Sequence, residues 1–131
     1  MTDSSYKLQY FDLGVLAEAI RMTFHAKGVP FTDERITFVS GQFYVIKPTL
    51  PNGSLPVLYV DNNPVPMNQS DAILRYLGDT FDMFPTDPME KYLCNEIIDT
   101  CGDILKGLLV IFQICLLPKK LGHGEKSKEE L

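Results

Sequence analysis

The order of strand-like and helix-like segments constrains the fold more than any other feature of this chain. The run YKLQYF near the start favours a short strand with Leu8 and Tyr10 on one face. The following LAEAIRMTFHAK carries apolar residues at helical spacing, and Gly28 is a typical helix stop. Residues 30–39 (PFTDERITFV) then predict a second strand rich in strand-favouring side chains.

The next forty residues predict a connection, a hairpin and a helix. The segment 40–52 contains one glycine, two prolines and one asparagine, which favours an irregular connection with at most a short helix. Val57 to Val60 predict a strand, DNNP a turn, and residues 65–67 a brief second strand. A helix should follow at once, with Asn68 as its cap and Asp71 reciprocating in the first turn.

Taken together, these segments read strand, helix, strand, short helix, strand, strand, helix (βαβαββα). This order predicts an α/β domain of the thioredoxin-like type over residues 5–81. The proline-containing stretch 82–87 is expected to be a linker. Residues 88–131 should form an incomplete all-α domain, made of one long helix from about Pro88 to Leu117 and a polar tail.

The second half of that long helix is unusual. From Leu108 to Leu117 only Gln113 is polar, so every face of the helix is apolar. A helix of this kind is normally buried on all sides, and the 14 residues that follow are too few and too polar to cover it. The pattern therefore predicts either a shortened or alternative form of a longer protein, or a partner over this helix.

Composition excludes some partners. The formal net charge is −5, whereas nucleic acid and anionic membranes require a basic face. The N-terminal residues lack the basic start and apolar stretch of a secretory signal. The longest apolar run is about half of the roughly 20 residues that cross a bilayer. We therefore expect a cytoplasmic protein that binds small molecules or proteins.

The three cysteines, Cys94, Cys101 and Cys115, lack CxxC spacing and lie on the predicted long helix. Buried free thiols are the favoured interpretation. Zinc binding is disfavoured because His25 and His123 do not form a ligand cluster with them. No metal or other cofactor is predicted.

Four stretches carry a resemblance to a known family: YKLQYFDLGVLAEAIR, SLPVLYVDN, MNQSDAILRYLG and MEKYLCNEIIDTCGDIL. Over about residues 5–110 the chain resembles the cytosolic glutathione transferases, and is most similar to the sigma-type members. The resemblance implies a homodimeric detoxification transferase that uses glutathione as substrate. It equally implies a sigma-type isomerase acting on a prostaglandin endoperoxide.

The resemblance also implies two elements of a glutathione site. The bond between Leu55 and Pro56 should be cis, and the backbone of Leu55 should pair with the cysteinyl part of glutathione as a short added strand. Gln69 and Ser70 should hold the γ-glutamyl carboxylate at the amino end of a helix, where free N–H groups favour an anion. A plain loop proline and simple helix capping are the alternatives.

Two further residues match the family's binding positions, and a third position departs from the family pattern. Lys47 matches the lysine that pairs with the glycyl carboxylate, although a solvated surface lysine is the alternative. The family's tryptophan in this region is absent, and Gln42 or Phe43 takes its place. Asp103 matches the acidic residue that reaches the γ-glutamyl ammonium in the neighbouring subunit, which implies a two-fold dimer with shared sites.

Tyr10 matches the catalytic tyrosine, whose hydroxyl hydrogen-bonds to the glutathione thiolate. The alternative is an aromatic core residue at the end of the first strand. The family's supporting arginine six residues later is replaced by Leu16, so poorer thiol activation is expected.

Two other function classes remain open. The departures from the family pattern favour a non-catalytic glutathione-transferase-like binding or structural module, or a form of low activity. A thiol–disulfide oxidoreductase is suggested by the fold alone. It is disfavoured because Tyr10 and Phe11, and not a thiol, stand at the end of the first strand.

Overall fold

A computed structural model of the chain describes residues 4–37, 41–61, 63 and 65–116, with side chains up to 112. The predicted order of elements is confirmed. Two short 3-10 turns, Lys47–Thr49 and Pro51–Gly53, follow the second helix. The strands and helices are β1 (Tyr6–Phe11), α1 (Val15–Lys27), β2 (Thr32–Ile36), α2 (Gln42–Ile46), β3 (Val57–Val60), β4 (Met67–Asn68), α3 (Ser70–Thr80) and α4 (Pro88–Leu116).

Some predicted features lie outside the described residues. These are the end of the second predicted strand at Phe38 and Val39, two residues of the DNNP turn, and everything from Leu117 onward, including His123 and the polar tail.

The four strands form one mixed sheet in the order β2-β1-β3-β4. β1 runs parallel to β2 and antiparallel to β3, and β3 runs antiparallel to β4. Gln9, Val57 and Asn68 pair in one row across the three strands β1, β3 and β4. This row fixes which residues meet at the end of these three strands.

One apolar core joins this sheet to helices α1 and α3. As predicted, Leu8 and Tyr10 lie on the same buried face of β1 and are 0% and 3% exposed. Helix α1 ends where predicted, since Gly28 adopts a left-handed conformation with φ of 68° and closes the last turn. The other core residues are Tyr6, Ala17, Ile20, Phe24, Leu58, Ile73, Leu77 and Phe81.

The start of α3 differs from the prediction. The cap residue is Gln69, and Asn68 instead ends strand β4 and donates a hydrogen bond to the Pro51 carbonyl at 3.2 Å. The predicted reciprocal cap from Asp71 is also wrong, because its carboxylate binds Ser70 and a residue of α4. The fourth strand correspondingly begins at Met67 and not at residue 65.

Helix α4 lies antiparallel to α3, and three ion pairs connect the two helices along their length. They join Asp71 to Lys106, Arg75 to Asp99, and Asp79 to Lys91. Among the described residues, no helix combines the length and apolarity needed to cross a membrane.

The second half of α4 is exposed within the described residues, and the expectation of a longer form or of a partner over this helix stays a prediction. Leu108, Ile111 and Phe112 are 55%, 58% and 49% exposed, because no described element lies opposite this part of the helix. The prediction of buried cysteines is wrong for the two cysteines whose side chains are described. Cys101 is exposed and Cys94 is half-buried.

Candidate functional site

The sheet register brings three of the predicted site residues to one end of the strands. Tyr10, Pro56 and Gln69 each lie one position beyond the paired row, at the same end of β1, β3 and β4. The Leu-Pro motif and the Gln-Ser motif, which are separated by more than ten residues in the sequence, therefore meet beside the end of β1.

The loop before β3 has the predicted backbone geometry. The bond between Leu55 and Pro56 is cis, as the resemblance implied. Pro56 is buried and Leu55 is half-buried. Leu55 lies two positions beyond the paired row, at the same end of the strands as Gln69.

The amino end of α3 is open to solvent at Gln69. This residue has a φ of 73°, is exposed, and forms no side-chain capping hydrogen bond. Ser70 is the first residue of the helix. Backbone N–H groups in the first turn lack partners within the helix and create a field that favours an anion.

Tyr10 has a mostly buried ring at this end of β1. Burial raises the pKa of Tyr10, while a hydrogen bond from the Leu16 backbone N–H and the charge of Arg21 act in the opposite direction. The phenol is therefore protonated at neutral pH. Its O–H proton is the group with which it can donate to a ligand.

The side chain at position 16 carries no charge, and the expectation of poorer thiol activation stays a prediction. Leu16 follows directly on a strained residue of the β1–α1 turn. This residue is Val15, which has a φ of 37°, a conformation that β-branched residues rarely adopt.

Arg21 was not singled out from the sequence. It is 3% exposed, and its guanidinium carbon lies 6.0 Å from the centre of the Tyr10 ring. Its Nε donates to both carboxylate oxygens of Asp33 at 3.1 Å, and Nη1 donates to the Leu13 carbonyl at 2.7 Å. Arg21 thus ties the β1–α1 turn to β2 beneath Tyr10. The available signal was its position between Ile20 and Phe24 on the apolar face of α1.

Phe43 and Lys47 lie near the same end of the sheet. The Phe43 ring packs against Phe11 with a centroid distance of 5.1 Å, and Phe11 in turn packs against Tyr10 at 5.5 Å. Lys47 is exposed, and its ammonium lies 5.8 Å from the centre of the Phe43 ring. No carboxylate within the described ranges pairs with Lys47, so its charge is available to an anion.

Asp103 is not part of this cluster. It lies on α4 with its side chain 83% exposed, and its nearest charged partner is Lys106 at 3.9 Å. Within the described part of this chain, no hydrogen bond or ion pair joins it to another of the predicted site residues.

An apolar cleft of about 220 Å³ opens between α1, α3 and α4. Ser70 and Asp71 contribute polar groups to its lining. The apolar residues of the cleft include Leu16, Ile20, Leu74, Ile98 and Leu105.

In the part of the chain that is described, no group of three or more potential metal ligands occurs.

Comparison with known proteins accounts for this arrangement. Residues 6–79 match the family model described as "Glutathione S-transferase, N-terminal domain". The chain belongs to the glutathione S-transferase family. The mixed sheet with its helices is the thioredoxin-like N-terminal domain of that family, followed by a helical region.

Individual members of the family are similar over most of the chain. Glutathione S-transferase 3 of Caenorhabditis elegans is 40% identical over 101 residues, which cover 77% of this chain and 47% of the relative. Hematopoietic prostaglandin D synthase of Gallus gallus is 38% identical, with coverage of 77% and 49%. The solved structure of the Fasciola hepatica sigma class enzyme matches at a TM-score of 0.73 and 35% identity, over 85% of this chain and 53% of that one. The chain thus spans about half the length of the curated relatives it matches.

Proposed function

We propose that this chain binds glutathione and activates its thiol for attack on small electrophiles, as a glutathione transferase. The observation that carries the proposal is that Tyr10, the cis Leu55–Pro56 bond and the amino end of α3 meet at one end of the strands. Membership of the family supports it. In this proposal residues 5–81 form the glutathione-binding domain, 82–87 the linker, and 88–131 a partial helical domain.

Each part of glutathione has a chemically suitable partner in this proposal. The backbone of Leu55, next to Pro56, pairs with the cysteinyl residue as an added strand. Gln69 and Ser70, in the field of the first turn of α3, bind the γ-glutamyl carboxylate. Lys47, with Phe43 beside it, binds the glycyl carboxylate.

Tyr10 is the proposed catalytic residue. The thiol of glutathione loses its proton to solvent, and the Tyr10 O–H donates a hydrogen bond to the resulting thiolate. A hydrogen bond to a charged acceptor contributes roughly 1.5 to 3 kcal/mol, and a shift of one pKa unit corresponds to about 1.4 kcal/mol. One phenol can therefore lower the thiol pKa by about one to two units. The thiolate then attacks the electrophilic carbon, forms a C–S bond and displaces the leaving group.

The electrophile could be one of two classes. A small carbon electrophile fits the general transferase reaction. The similarity to a prostaglandin D synthase supports an endoperoxide as the alternative, since isomerisation would use the same thiolate.

We further propose a cytoplasmic homodimer in which Asp103 of each subunit meets the γ-glutamyl ammonium bound by the other. The exposed carboxylate of Asp103 supports this, because within its own chain it stands apart from the site. Neither nucleic acid nor a membrane is proposed as a partner, given the acidic charge.

The test is turnover of a chloroaromatic electrophile by the purified chain and by Tyr10→Phe, with Tyr92→Phe on exposed α4 as the matched control. We expect Tyr10→Phe to lose roughly 10- to 100-fold in kcat/KM, to lose thiolate ultraviolet absorbance, and to keep glutathione affinity. The control should behave as the wild type.

A binding module without catalysis is the second candidate, and the 3% exposure of Tyr10 favours it, since a buried phenol reaches a ligand only through its hydroxyl edge. Wild-type protein that binds glutathione but shows no turnover would support this candidate. Wild-type protein that does not bind glutathione at all would refute both.

A further inference from the structure

The Asp71 carboxylate occupies an unusual place beside the amino end of α3. Its Oδ1 accepts a hydrogen bond from the Ser70 hydroxyl at 3.3 Å, and its Oδ2 lies 3.3 Å from the Lys106 ammonium of α4. The Asp71 side chain is 23% exposed and that of Lys106 is 57% exposed. A fixed negative charge therefore lies next to Ser70, one of the two residues proposed to bind the γ-glutamyl carboxylate.

Gly102 of α4 makes this position possible. A Cβ atom at residue 102 would lie 2.7 Å from Asp71 Oδ2 and 3.2 Å from its Cγ. Any side chain there would push the carboxylate away from α4. Glycine within a helix is unfavourable relative to alanine, and the close approach of Asp71 gives this glycine a specific structural use.

The charge of Asp71 conflicts with the proposed ligand. The carboxylate of Asp71 and the γ-glutamyl carboxylate would share the favourable field of one helix end, and like charges at short range oppose each other. In addition, the single proton of the Ser70 hydroxyl is already donated to Asp71, which leaves the backbone N–H groups of this helix end for the ligand. Lys106 balances the charge of Asp71 from the α4 side.

We propose that Lys106 and Gly102 hold the Asp71 carboxylate against α4, and thereby keep the backbone N–H groups at the amino end of α3 available to the γ-glutamyl carboxylate. Asp71 and Lys106 are thus positioning residues that set glutathione affinity. This inference rests on the proposed glutathione site.

A double-mutant cycle tests the coupling. Glutathione affinity is measured by calorimetry for wild type, Lys106→Met, Asp71→Asn and the double variant. Lys106→Met should weaken binding about fivefold, because it leaves the partly exposed Asp71 carboxylate beside the ligand without its balancing charge. Asp71→Asn should bind at least as tightly as wild type, and the double variant should resemble Asp71→Asn.

Further measurements separate positioning from a purely structural role. In Lys106→Met the KM for glutathione should rise while kcat stays unchanged, and the effect should shrink as salt is raised to about 0.5 M. A glutathione analogue with the γ-glutamyl carboxyl converted to an amide should bind wild type and Lys106→Met equally. Lys106→Arg should restore the wild-type affinity.

Lys91→Met is the matched control, because Lys91 forms the same kind of α3–α4 ion pair with Asp79 at the opposite end of α3. It should leave glutathione affinity unchanged. Gly102→Ala displaces the carboxylate without changing any charge, and should weaken binding even if Lys106→Met folds poorly.

Two results would overturn this inference but not the proposed function. One is unchanged glutathione affinity in both Lys106→Met and Gly102→Ala, and the other is a double variant that binds glutathione as weakly as Lys106→Met. The latter would mean that Lys106 acts on the ligand independently of Asp71. Wild-type protein without measurable glutathione binding would overturn the proposed function and this inference together.

Discussion

The α/β layer and helix α4 place their large apolar side chains in opposite environments. Phe24 of α1 and Leu77 of α3 are fully buried, whereas Ile104, Ile111 and Phe112 of α4 are 59%, 58% and 49% exposed. Helices α1 and α3 lie on a sheet, but the second half of α4 has no described element opposite it. Apolar sequence therefore leads to burial only where a second surface is present, and most of the stability of the described chain should come from the α/β layer.

The largest effect is expected from Phe24→Ala. Phe24 stacks on Phe31 with ring centroids 4.5 Å apart, and contacts Tyr6 at 5.2 Å and Phe81 at 5.7 Å. Removing the ring leaves a cavity within this cluster and should lower the free energy of unfolding by about 3 to 5 kcal/mol. Urea unfolding followed by circular dichroism measures the change.

Phe112→Ala is the control for the same chemical change on α4. Because the ring is 49% exposed, its removal should change the free energy of unfolding by no more than about 0.5 kcal/mol. Equal losses in the two variants would contradict the proposed difference between the regions and would show that Phe112 is covered in solution.

A smaller but still large effect is expected from Arg21→Met. This substitution removes the buried partner of Asp33 and the side-chain donor to the Leu13 carbonyl. Breaking such a buried pair should cost about 3 kcal/mol. Arg35 provides the matched control, since it binds the same Asp33 carboxylate at 2.8 Å but is 46% exposed in its side chain.

Arg35→Met should therefore cost less than about 1 kcal/mol. Both variants are compared by their urea midpoints at constant salt. If the two losses were the same, the cost would belong to Asp33 alone, and the burial of Arg21 would not matter to stability.

Much of the α/β layer could be predicted from the sequence, because local rules and the global fold agree there. The alternation of Leu8 and Tyr10 indicated the buried face of β1, and Gly28 indicated the end of α1. The cis bond at Pro56 came from the family resemblance and is confirmed. The sheet register then brings the motifs together, which spacing in the sequence alone did not establish.

The errors occur where a tertiary contact decides between local options. Asn68 was a reasonable cap, but the Pro51 carbonyl lies within reach of its amide. Asp71 had a suitable position for a capping box, yet the ammonium of Lys106 and the space at Gly102 hold it towards α4. Burial of Cys101 was inferred from residue type, but its side chain is exposed. The positions of Asn68 and Asp71 each depend on a neighbour that is distant in sequence.

The smallest effects come from two glycines that share a helical setting but differ in their surroundings. A Cβ at Gly78 of α3 would lie 2.5 and 2.6 Å from two ring atoms of Phe84, whereas a Cβ at Gly107 of α4 would meet nothing within 4 Å. Gly78→Ala should lower the free energy of unfolding by about 1 kcal/mol, since displacing the ring outweighs the gain in helix propensity. Gly107→Ala should raise it by about 0.5 to 1 kcal/mol, because only that gain remains. Thermal unfolding of both variants measures these changes in the free energy of unfolding, and opposite signs would support packing around α3 and open space around α4. Stabilisation by both substitutions would mean that Phe84 does not pack on α3.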